Sequence, residues 1–332
     1  MTSPALTEVP TADVVAALRT ALARFADPAD AADDVAQAAL SILTAELLGL
    51  PRFGIAMLAK ELQRLDAAGD PPADSTRAAQ PAVVDIDARA LPGVIALARA
   101  ARLAQERLDT LGAVVVGIRN VGATGVLGSV VRRVAATGGM ALLVAESGPF
   151  VAPWGGTAAA IGTNPLALAV PRADGPPFVV DFATAPLTVA AVRAHTESGR
   201  PLPEGTALDA DGAPTTDAAA VAAILPDSRI ASLAGLAVQL LAGAANGSTS
   251  GAGGDAYALR GLTLVAFRPP AEDAAQSADD VLARWADARG HIPARLDGLP
   301  SSLDGLPPRL SLADTALAAL TALAALRGPH PT

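Results

Sequence analysis

The chain has no cysteine, only 3 histidines among 332 residues, and an aromatic content of 3%. The absence of cysteine excludes disulfides, thiolate nucleophiles and cysteine-ligated metals. Basic residues are also scarce, with 24 Lys and Arg against 33 Asp and Glu, so the net charge is -9. Because an acidic chain repels phosphate backbones, we expect no nucleic-acid partner.

Targeting signals are missing as well. We find no uncharged apolar run of about 18 residues with membrane-type flanks, and no basic-then-apolar start typical of a signal peptide. The sequence therefore predicts a cytoplasmic protein with no membrane partner. Hydrophobic residues, mainly alanine and leucine, make up 51% of the chain. A chain of 332 residues exceeds what one core usually serves, so we expect two lobes.

Helical patterns occupy both ends of the chain, and strand patterns occupy the middle. Helices are predicted at 11–26, with Thr11 as candidate N-cap, and at 30–48, 54–67, 92–110, 276–288 and 311–326. Strands are predicted from the segments VVVGIR, ALLVAES, LALAVP, FVVDFA and LTLVAF. Residues 243–256 are predicted to form a flexible glycine-serine tract. This order predicts a helical domain built from residues 1–112 and 271–332, around a sheet domain of residues 113–270.

The segment GIRNVGATGVLG, residues 117–128, joins a predicted strand to a glycine-rich turn. Reacting groups often lie on such a loop. No side chain from Gly122 to Gly125 titrates near neutral pH. The glycine spacing also differs from the dinucleotide-binding fingerprint. The turn itself therefore supplies no proton donor.

Four stretches in the middle of the chain carry a family resemblance. They are VAPWGG (151–156), GTNPLALAVP (162–171), PFVVDFATA (177–185) and GRPLPEGTALDADGAPTTD (199–217). In this order they closely resemble the malate/L-lactate dehydrogenase family of NAD(P)-dependent 2-oxo acid reductases. The resemblance implies an α/β (α+β) fold of the sulfolactate dehydrogenase type, not a Rossmann fold. It also implies a mostly antiparallel sheet domain, a helical domain and a dimer.

The same resemblance shows departures at the positions where the family carries its chemistry. The two family histidines correspond to Phe53 and Ala123, and the arginine after the first of them corresponds to Met57. An imidazole suits proton donation to a reduced ketone, and an arginine holds a carboxylate through two hydrogen bonds. The family's Arg-Gly-Lys run corresponds to Val189–Ala191. The resemblance therefore implies that standard 2-oxo acid reduction is lost.

We assign ten residues to a candidate pocket. They are Arg52, Phe53, Met57, Arg119, Ala123, Glu146, Trp154, Thr163, Asn164 and Asp181. Arg52 and Glu146 are candidates for new polar chemistry, with a surface charge or ion pair as the alternative. Asp181 lies in an apolar strand and needs a partner. It is either a hydrogen-bonded structural residue or a ligand contact, and Arg119 is either its partner or itself a ligand contact.

Two functional interpretations remain open. In the first, the chain forms a homodimer, or a heterodimer with a paralogue, and has lost the standard chemistry. It is then a repurposed enzyme with a small-molecule ligand or a non-catalytic partner subunit, with no nicotinamide cofactor and no metal. In the second, it is still an NAD(P)-dependent oxidoreductase that acts on an atypical substrate.

Overall fold

The computed structural model describes residues 6–26, 30–68, 76–248 and 260–325. The strands in these residues are β1 (Leu6–Pro10), β2 (Thr76–Gln80), β3 (Val83–Asp87), β4 (Ala113–Val121), β5 (Met140–Ala145), β6 (Pro165–Val170), β7 (Phe178–Ala183), β8 (Ala207–Leu208), β9 (Ala223–Ile224), β10 (Arg260–Phe267) and β11 (Arg309–Ala313). The helices are α1 (Thr11–Ala23), α2 (Ala31–Leu47), α3 (Ile55–Ala68), α4 (Gly93–Leu111), α5 (Leu127–Ala135), α6 (Val189–Ser198), α7 (Arg229–Ala242), α8 (Ala274–Asp287) and α9 (Asp314–Ala325).

One sheet of seven strands organises the middle of the chain, in the order β2-β3-β4-β10-β5-β6-β7. Its pairs are antiparallel except for the parallel pair of β3 and β4. The predicted mixed α/β fold with a mostly antiparallel sheet is therefore confirmed. All five strand segments predicted from the sequence lie in this sheet, as β4, β5, β6, β7 and β10.

The structure differs from the sequence predictions at several places. Strands β2 and β3 lie before residue 112, yet they extend the sheet through the pairing of β3 with β4. Strand β1 pairs with β11, so residues 311–313 are strand and α9 begins only at Asp314. Thr11 is the first residue of α1 and not its N-cap, and its hydroxyl donates to the carbonyl oxygen of Pro307. Residues 249–256 of the predicted flexible tract lie outside the described residues.

Helix α4 packs on both sides because its alanines leave two apolar faces. Leu97 and Leu108, which the helical spacing of the sequence places on one face, join the sheet core with the strands and α5. Ile95 and Ala98 join a second core formed by α1, α2, α3, α9 and β11. The two clusters match a sheet lobe and a helical lobe built from both chain ends. Their division into independent domains stays a prediction.

A buried ion pair fastens α2 to α4. Asp34 is 0% exposed, and its carboxylate lies 3.0 Å from Arg102 Nε and 3.6 Å from Arg99 Nε. Arg102 also pairs with Glu106, four residues further along α4, at 2.9 Å. A buried charge is tolerated only when it is paired and hydrogen-bonded, so this contact fixes how the two helices meet.

Helix α7 and the short turn after it, Arg229–Asn246, are long and apolar enough to cross a membrane by length and composition alone. Only 22% of this segment is buried, and its buried residues Val238 and Ala242 pack against β5 and β10. Location in the cytoplasm stays a prediction.

Candidate active site

The glycine-rich turn between β4 and α5 packs against the start of α3. A Cβ added at Gly125 would lie 3.3 Å from the backbone oxygen of Phe53 and 3.8 Å from Met57 Cε. Gly125 has a φ of 76°, in the left-handed region that favours glycine. Ala123 lies on the same turn, where its carbonyl oxygen contacts Gly93 at the start of α4. The structure thus brings Phe53, Met57 and the turn together, and we call residues 53, 57 and 122–125 the turn site.

Glu61 is a part of this region that the sequence analysis missed. Its side chain is buried and pairs with Arg64 at 2.8 Å. A Cβ added at Gly122 would lie 1.8 Å from Glu61 Oε1. The glycine at 122 therefore leaves the space that this carboxylate occupies. The i,i+4 spacing of Met57 and Glu61 on α3 is the sequence signal that could have placed both on the turn.

A carboxylate on α6 forms an ion pair with the arginine that precedes the turn site. Arg52 forms an ion pair with Glu197 of α6, which links the helical side of the protein to α6. The hydrogen bond from Arg52 lowers the pKa of Glu197, and Arg193 and Lys60 add smaller contributions of the same sign. We call Arg52, Lys60 and Arg193 the basic trio. The alternative reading of Arg52 as an ion-paired residue is confirmed.

Asp181 on β7 caps the first turn of α5. Its Oδ2 accepts a 2.7 Å hydrogen bond from the backbone N–H of Gly128. The residue keeps an exposed edge, but the protein atoms around the carboxyl group desolvate it and raise its pKa, against the effect of that hydrogen bond. Of the two roles left open for Asp181, the structure shows the hydrogen-bonded one.

Arg119 is not the partner of Asp181, and that expectation was wrong. Its guanidinium lies 3.1 Å from Asp85 and 2.8 Å from Asp87, both on β3. The parallel register places Asp87 directly opposite Arg119. The ion pairs of Arg119 therefore join β4 to β3. Asn120, with a φ of 58°, also donates to Asp87.

Glu146 lies in the sheet lobe, away from the turn site. It is 3% exposed, and its carboxylate accepts hydrogen bonds from Gly261 N at 2.6 Å and from Gln239 Nε2 at 2.5 Å. A Cβ at Gly243 would lie 2.2 Å from Glu146 Oε2. The expectation of a surface charge at Glu146 is therefore wrong, because the residue is buried and joins α7 to β10. New polar chemistry at Glu146 stays a prediction.

Asn164 and Thr163 belong to the same buried region. Asn164 is 0% exposed, accepts from Ser147 N at 3.1 Å and donates to the carbonyl oxygen of Gly235 at 2.9 Å. The Thr163 hydroxyl lies 3.3 Å from that of Ser147. Asn164 therefore bonds to α7, whereas Thr163 bonds to Ser147 and Thr184. Neither residue is brought to the turn site.

Trp154 is 56% exposed and lies on a separate cavity of about 630 Å³. Its backbone N–H donates to the hydroxyl of Ser232 on α7, at 3.0 Å. The ten candidate residues therefore fall into separate places in the fold. Within the described ranges, no group of three or more His, Asp or Glu side chains could hold a metal ion.

A sequence model of the malate/L-lactate dehydrogenase family matches residues 9–295. The chain belongs to this family. A (2R)-3-sulfolactate dehydrogenase (NADP(+)) of Chromohalobacter salexigens is 36% identical over 64% of this chain and 65% of its own length. An L-lactate dehydrogenase of Cupriavidus necator is 33% identical over 66% of each chain. A delta(1)-pyrroline-2-carboxylate reductase of Pseudomonas fluorescens is 35% identical over 47% of this chain and 46% of its own. These alignments span about half to two thirds of the relatives.

Solved structures match over nearly the whole chain. A dehydrogenase from Sinorhizobium meliloti superposes with a TM-score of 0.78 and 28% identity, and covers 97% of this chain and 99% of that one. Delta1-piperideine-2-carboxylate reductase from Pseudomonas syringae gives a TM-score of 0.81 with 25% identity, over 96% and 99% of the two chains. Sulfolactate dehydrogenase from Methanocaldococcus jannaschii, 22% identical with a TM-score of 0.72 over 95% of this chain and 91% of that one, shares the fold.

Proposed function

We propose that this protein is an NAD(P)-dependent oxidoreductase whose substrate is not held through a carboxylate–arginine pair. The relatives named above, at 33–36% identity, carry the names of dehydrogenases and reductases, which supports hydride chemistry in this chain. The observation that carries the proposal is the basic trio beside an apolar turn site. Met57 in place of the family's arginine favours a substrate without a carboxylate.

The side chains around the turn site suit a dinucleotide cofactor. Arg52 directly precedes Phe53 in the chain, and Lys60 and Arg193 are the other cations that lower the pKa of Glu197, within a chain of net charge -9. Such a trio suits phosphate groups, which prefer arginine and lysine. Bound there, the cofactor would supply the hydride. Glu197 neutralises part of this charge and would compete with the phosphates for Arg52.

Two carboxyl groups lie near the turn site: that of Glu61, which packs on Gly122 and pairs with Arg64, and that of Asp181, which is bonded to Gly128. Phe53 and Ala123 carry no ionisable group, whereas the raised pKa of Asp181 lets its carboxyl group keep a proton to a higher pH than an ordinary aspartate. Its exposed edge leaves room for a reacting group to approach. We propose that Asp181 both caps α5 and donates the proton to the reduced substrate.

A second candidate function is the family fold without hydride transfer, as a repurposed enzyme or a partner subunit. The replacement of both family histidines by Phe53 and Ala123 favours it. The two functions differ in a measurable way, because only the reductase consumes NADH or NADPH.

The test is a turnover assay in which NADPH or NADH oxidation is followed with matched substrate pairs. Each pair has the same ketone or cyclic imine with and without a carboxylate. The proposal predicts turnover that favours the uncharged member and falls in the Asp181→Asn variant. Turnover with neither member, in a protein that binds both cofactors, would contradict the substrate class.

We propose that α7 is the surface of a homodimer. Ile230, Leu233, Leu240 and Leu241 on its outer face are 79%, 55%, 54% and 51% exposed. A contiguous apolar surface of this kind marks an interface, and an uncharged helix face is complementary to a second copy of itself. Light scattering of the wild type should give a dimer, and Leu233→Glu with Leu240→Glu should give a monomer. A wild-type monomer at micromolar concentration would contradict this assembly.

A further inference from the structure

A cavity of about 460 Å³ lies between α2, α4 and α5, and the turn between β6 and β7 and the chain around Pro300 complete its wall. This volume is within the roughly 300–1,000 Å³ that is usual for small-molecule sites. No residue of the turn site or of the basic trio lines the cavity, and neither does Asp181. The proposed hydride chemistry therefore gives this cavity no role.

The wall of the cavity is mostly apolar. Leu97, Ala101 and Val130 form part of it and are buried. On α2 the lining extends from Gln37 to Thr44, and seven residues of helix rise about 10 Å. An extended chain of about eight carbons has this length. The cavity therefore fits a carbon chain of medium length.

The two ends of the cavity differ, because α2 and α5 run antiparallel along it. The Ser41 hydroxyl lies 2.8 Å from that of Ser129. Arg133, one turn further along α5, pairs with Asp33, two turns earlier on α2. Thr44 therefore lies at the end of the cavity nearer the start of α5, and the arginines of α5 lie at the other end.

The arginine end carries a positive charge that the protein does not pair. Arg132 and Arg133 line the cavity, and none of its lining residues is acidic. Within the described ranges Arg133 has an ion pair but Arg132 has none, since its two hydrogen bonds go to the carbonyl oxygens of Leu299 and Pro300, at 2.7 and 3.2 Å. Desolvation lowers the pKa of Arg132, against the attraction of Asp297. A carboxylate at this end would give Arg132 a charged partner.

The opposite end holds a buried hydroxyl group without a partner. Thr44 is 4% exposed and lines the cavity, yet among the described residues its side chain makes no hydrogen bond. A threonine in a helix often bonds to the carbonyl oxygen one turn earlier, as Thr20 does with Ala16 at 2.9 Å. A buried hydroxyl that stays unpaired costs free energy. The Thr44 hydroxyl is therefore available to an oxygen atom of a ligand.

We propose that this cavity binds a medium-chain carboxylate that carries a hydroxyl or carbonyl oxygen at its far end. Arg132 holds the carboxylate, the apolar wall covers the carbon chain, and Thr44 bonds to the far oxygen. This ligand is neither the substrate nor the cofactor of the proposed reductase. Its binding requires no nicotinamide cofactor.

Calorimetric titration of the full chain with 8-hydroxyoctanoate tests the proposal. We expect saturable binding with a dissociation constant below about 1 mM. Octanoate lacks the far hydroxyl and should bind at least about fivefold more weakly, because Thr44 stays unpaired. The diol 1,8-octanediol lacks the charge and should bind at least about tenfold more weakly, because Arg132 gains no anion.

Thr44→Val removes the hydroxyl and keeps the shape of the side chain. The variant should bind octanoate as the wild type does and should lose the preference for 8-hydroxyoctanoate. Its free energy of unfolding should be equal or higher, because no unpaired hydroxyl is buried. A purely structural role for Thr44 predicts the opposite, a loss of stability with the preference retained.

Arg132→Gln tests the charged end. The variant should bind 8-hydroxyoctanoate at least about tenfold more weakly than the wild type does. Its affinity for 1,8-octanediol should be unchanged, which separates the loss of the charge from a collapse of the cavity.

A blocking substitution tests the location without touching the polar groups. Ala136 is exposed at the end of α5 and lines the cavity, so Ala136→Phe should abolish the binding of 8-hydroxyoctanoate. Ala288 is the matched control, because it is exposed at the end of α8 and does not line the cavity. Ala288→Phe should leave the affinity unchanged.

Three results would overturn the proposal. They are the absence of saturable binding of 8-hydroxyoctanoate, equal affinity of the wild type for octanoate, and binding that survives Ala136→Phe. Cofactor binding at the turn site is measured separately with NADPH and should be the same in Ala136→Phe as in the wild type. Failure of the cavity proposal therefore leaves the proposed function standing, and the reverse also holds.

Discussion

The carboxylate of Asp181 accepts a 2.7 Å hydrogen bond from the backbone N–H of Gly128. This bond joins β7 to the first turn of α5, the helix that follows the glycine-rich turn. A negative charge at a helix N-terminus is favourable. The surrounding protein nevertheless desolvates the carboxyl group and raises its pKa. Asp181 thus caps the helix, although the loss of solvation destabilises its ionised form.

Asp181→Asn should separate the effect of the hydrogen bond to Gly128 from the effect of the desolvated charge. Because the pKa of Asp181 is higher in the folded than in the unfolded protein, its contribution to stability is largest at low pH and is lost as the pH rises through the folded pKa. Asparagine keeps an acceptor for Gly128 and removes the charge. We expect an equal or larger free energy of unfolding at pH 7, and a gain that shrinks below about pH 4. Urea unfolding at both pH values measures this, and a marked loss of stability at pH 7 would contradict it.

The packing of Gly122 on Glu61 predicts a steric effect. Gly122→Ala would place a Cβ 1.8 Å from Glu61 Oε1, so we expect a loss of about 1–3 kcal/mol in the free energy of unfolding. Gly148→Ala is the matched control, because no atom lies within 4 Å of its added Cβ. Glu61→Ala in the Gly122→Ala background should cost less than the sum of the two single changes. Additive costs would mean that the two residues do not compete for space.

Restoring one family histidine should not restore 2-oxo acid reduction. Ala123→His supplies an imidazole, but a general acid contributes about 10²–10⁴-fold only on a substrate already held beside its hydride donor. Met57 cannot hold a carboxylate. Gly122 is left unchanged, because a side chain at this position would clash with the carboxylate of Glu61. NADH oxidation with pyruvate and oxaloacetate should stay at the wild-type level. Clear turnover would mean that the substrate carboxylate finds another cation.

Removal of the buried charge between α2 and α4 should be costly. Asp34→Ala leaves Arg99 and Arg102 without their shared carboxylate, so we expect a loss of about 3–5 kcal/mol. The exposed pair of Arg24 and Asp66 is the comparison, where Asp66→Ala should cost less than about 1 kcal/mol. Thermal or urea unfolding measures both, and equal costs would contradict the role given to burial.

The sequence was most informative where patterns are local. Five strands and the apolar face of α4 followed from short runs of residues, and the family motifs supplied the fold. Strands β1 and β2 were missed because they are short and mostly exposed, and the partner of β1 lies far along the chain. Strand β3 is half-buried, but it is only five residues long. The partners of Arg119 and Glu146 were missed for the same reason, because only the folded sheet brings Asp87 and Gln239 to them.

The turn site shows the limit of a family resemblance. Its motifs correctly located Phe53 and Met57 beside the turn, because the fold carries them there. They could not indicate that Glu61 fills the space over Gly122, or that Arg52 pairs with Glu197 of α6. These features depend on residues outside the motifs.

The dissociation constant of NADPH tests the central claim most directly. Calorimetric titration of the wild-type protein should give a value in the micromolar range, equivalent to about 8 kcal/mol, with NADH measured alongside. Arg52→Ala with Lys60→Ala should weaken the better cofactor at least about tenfold, because the phosphates lose two cations. Arg19→Ala with Arg77→Ala, at exposed positions elsewhere, should not. Binding of neither cofactor below about 1 mM would contradict the proposed oxidoreductase function and favour the family fold without hydride transfer.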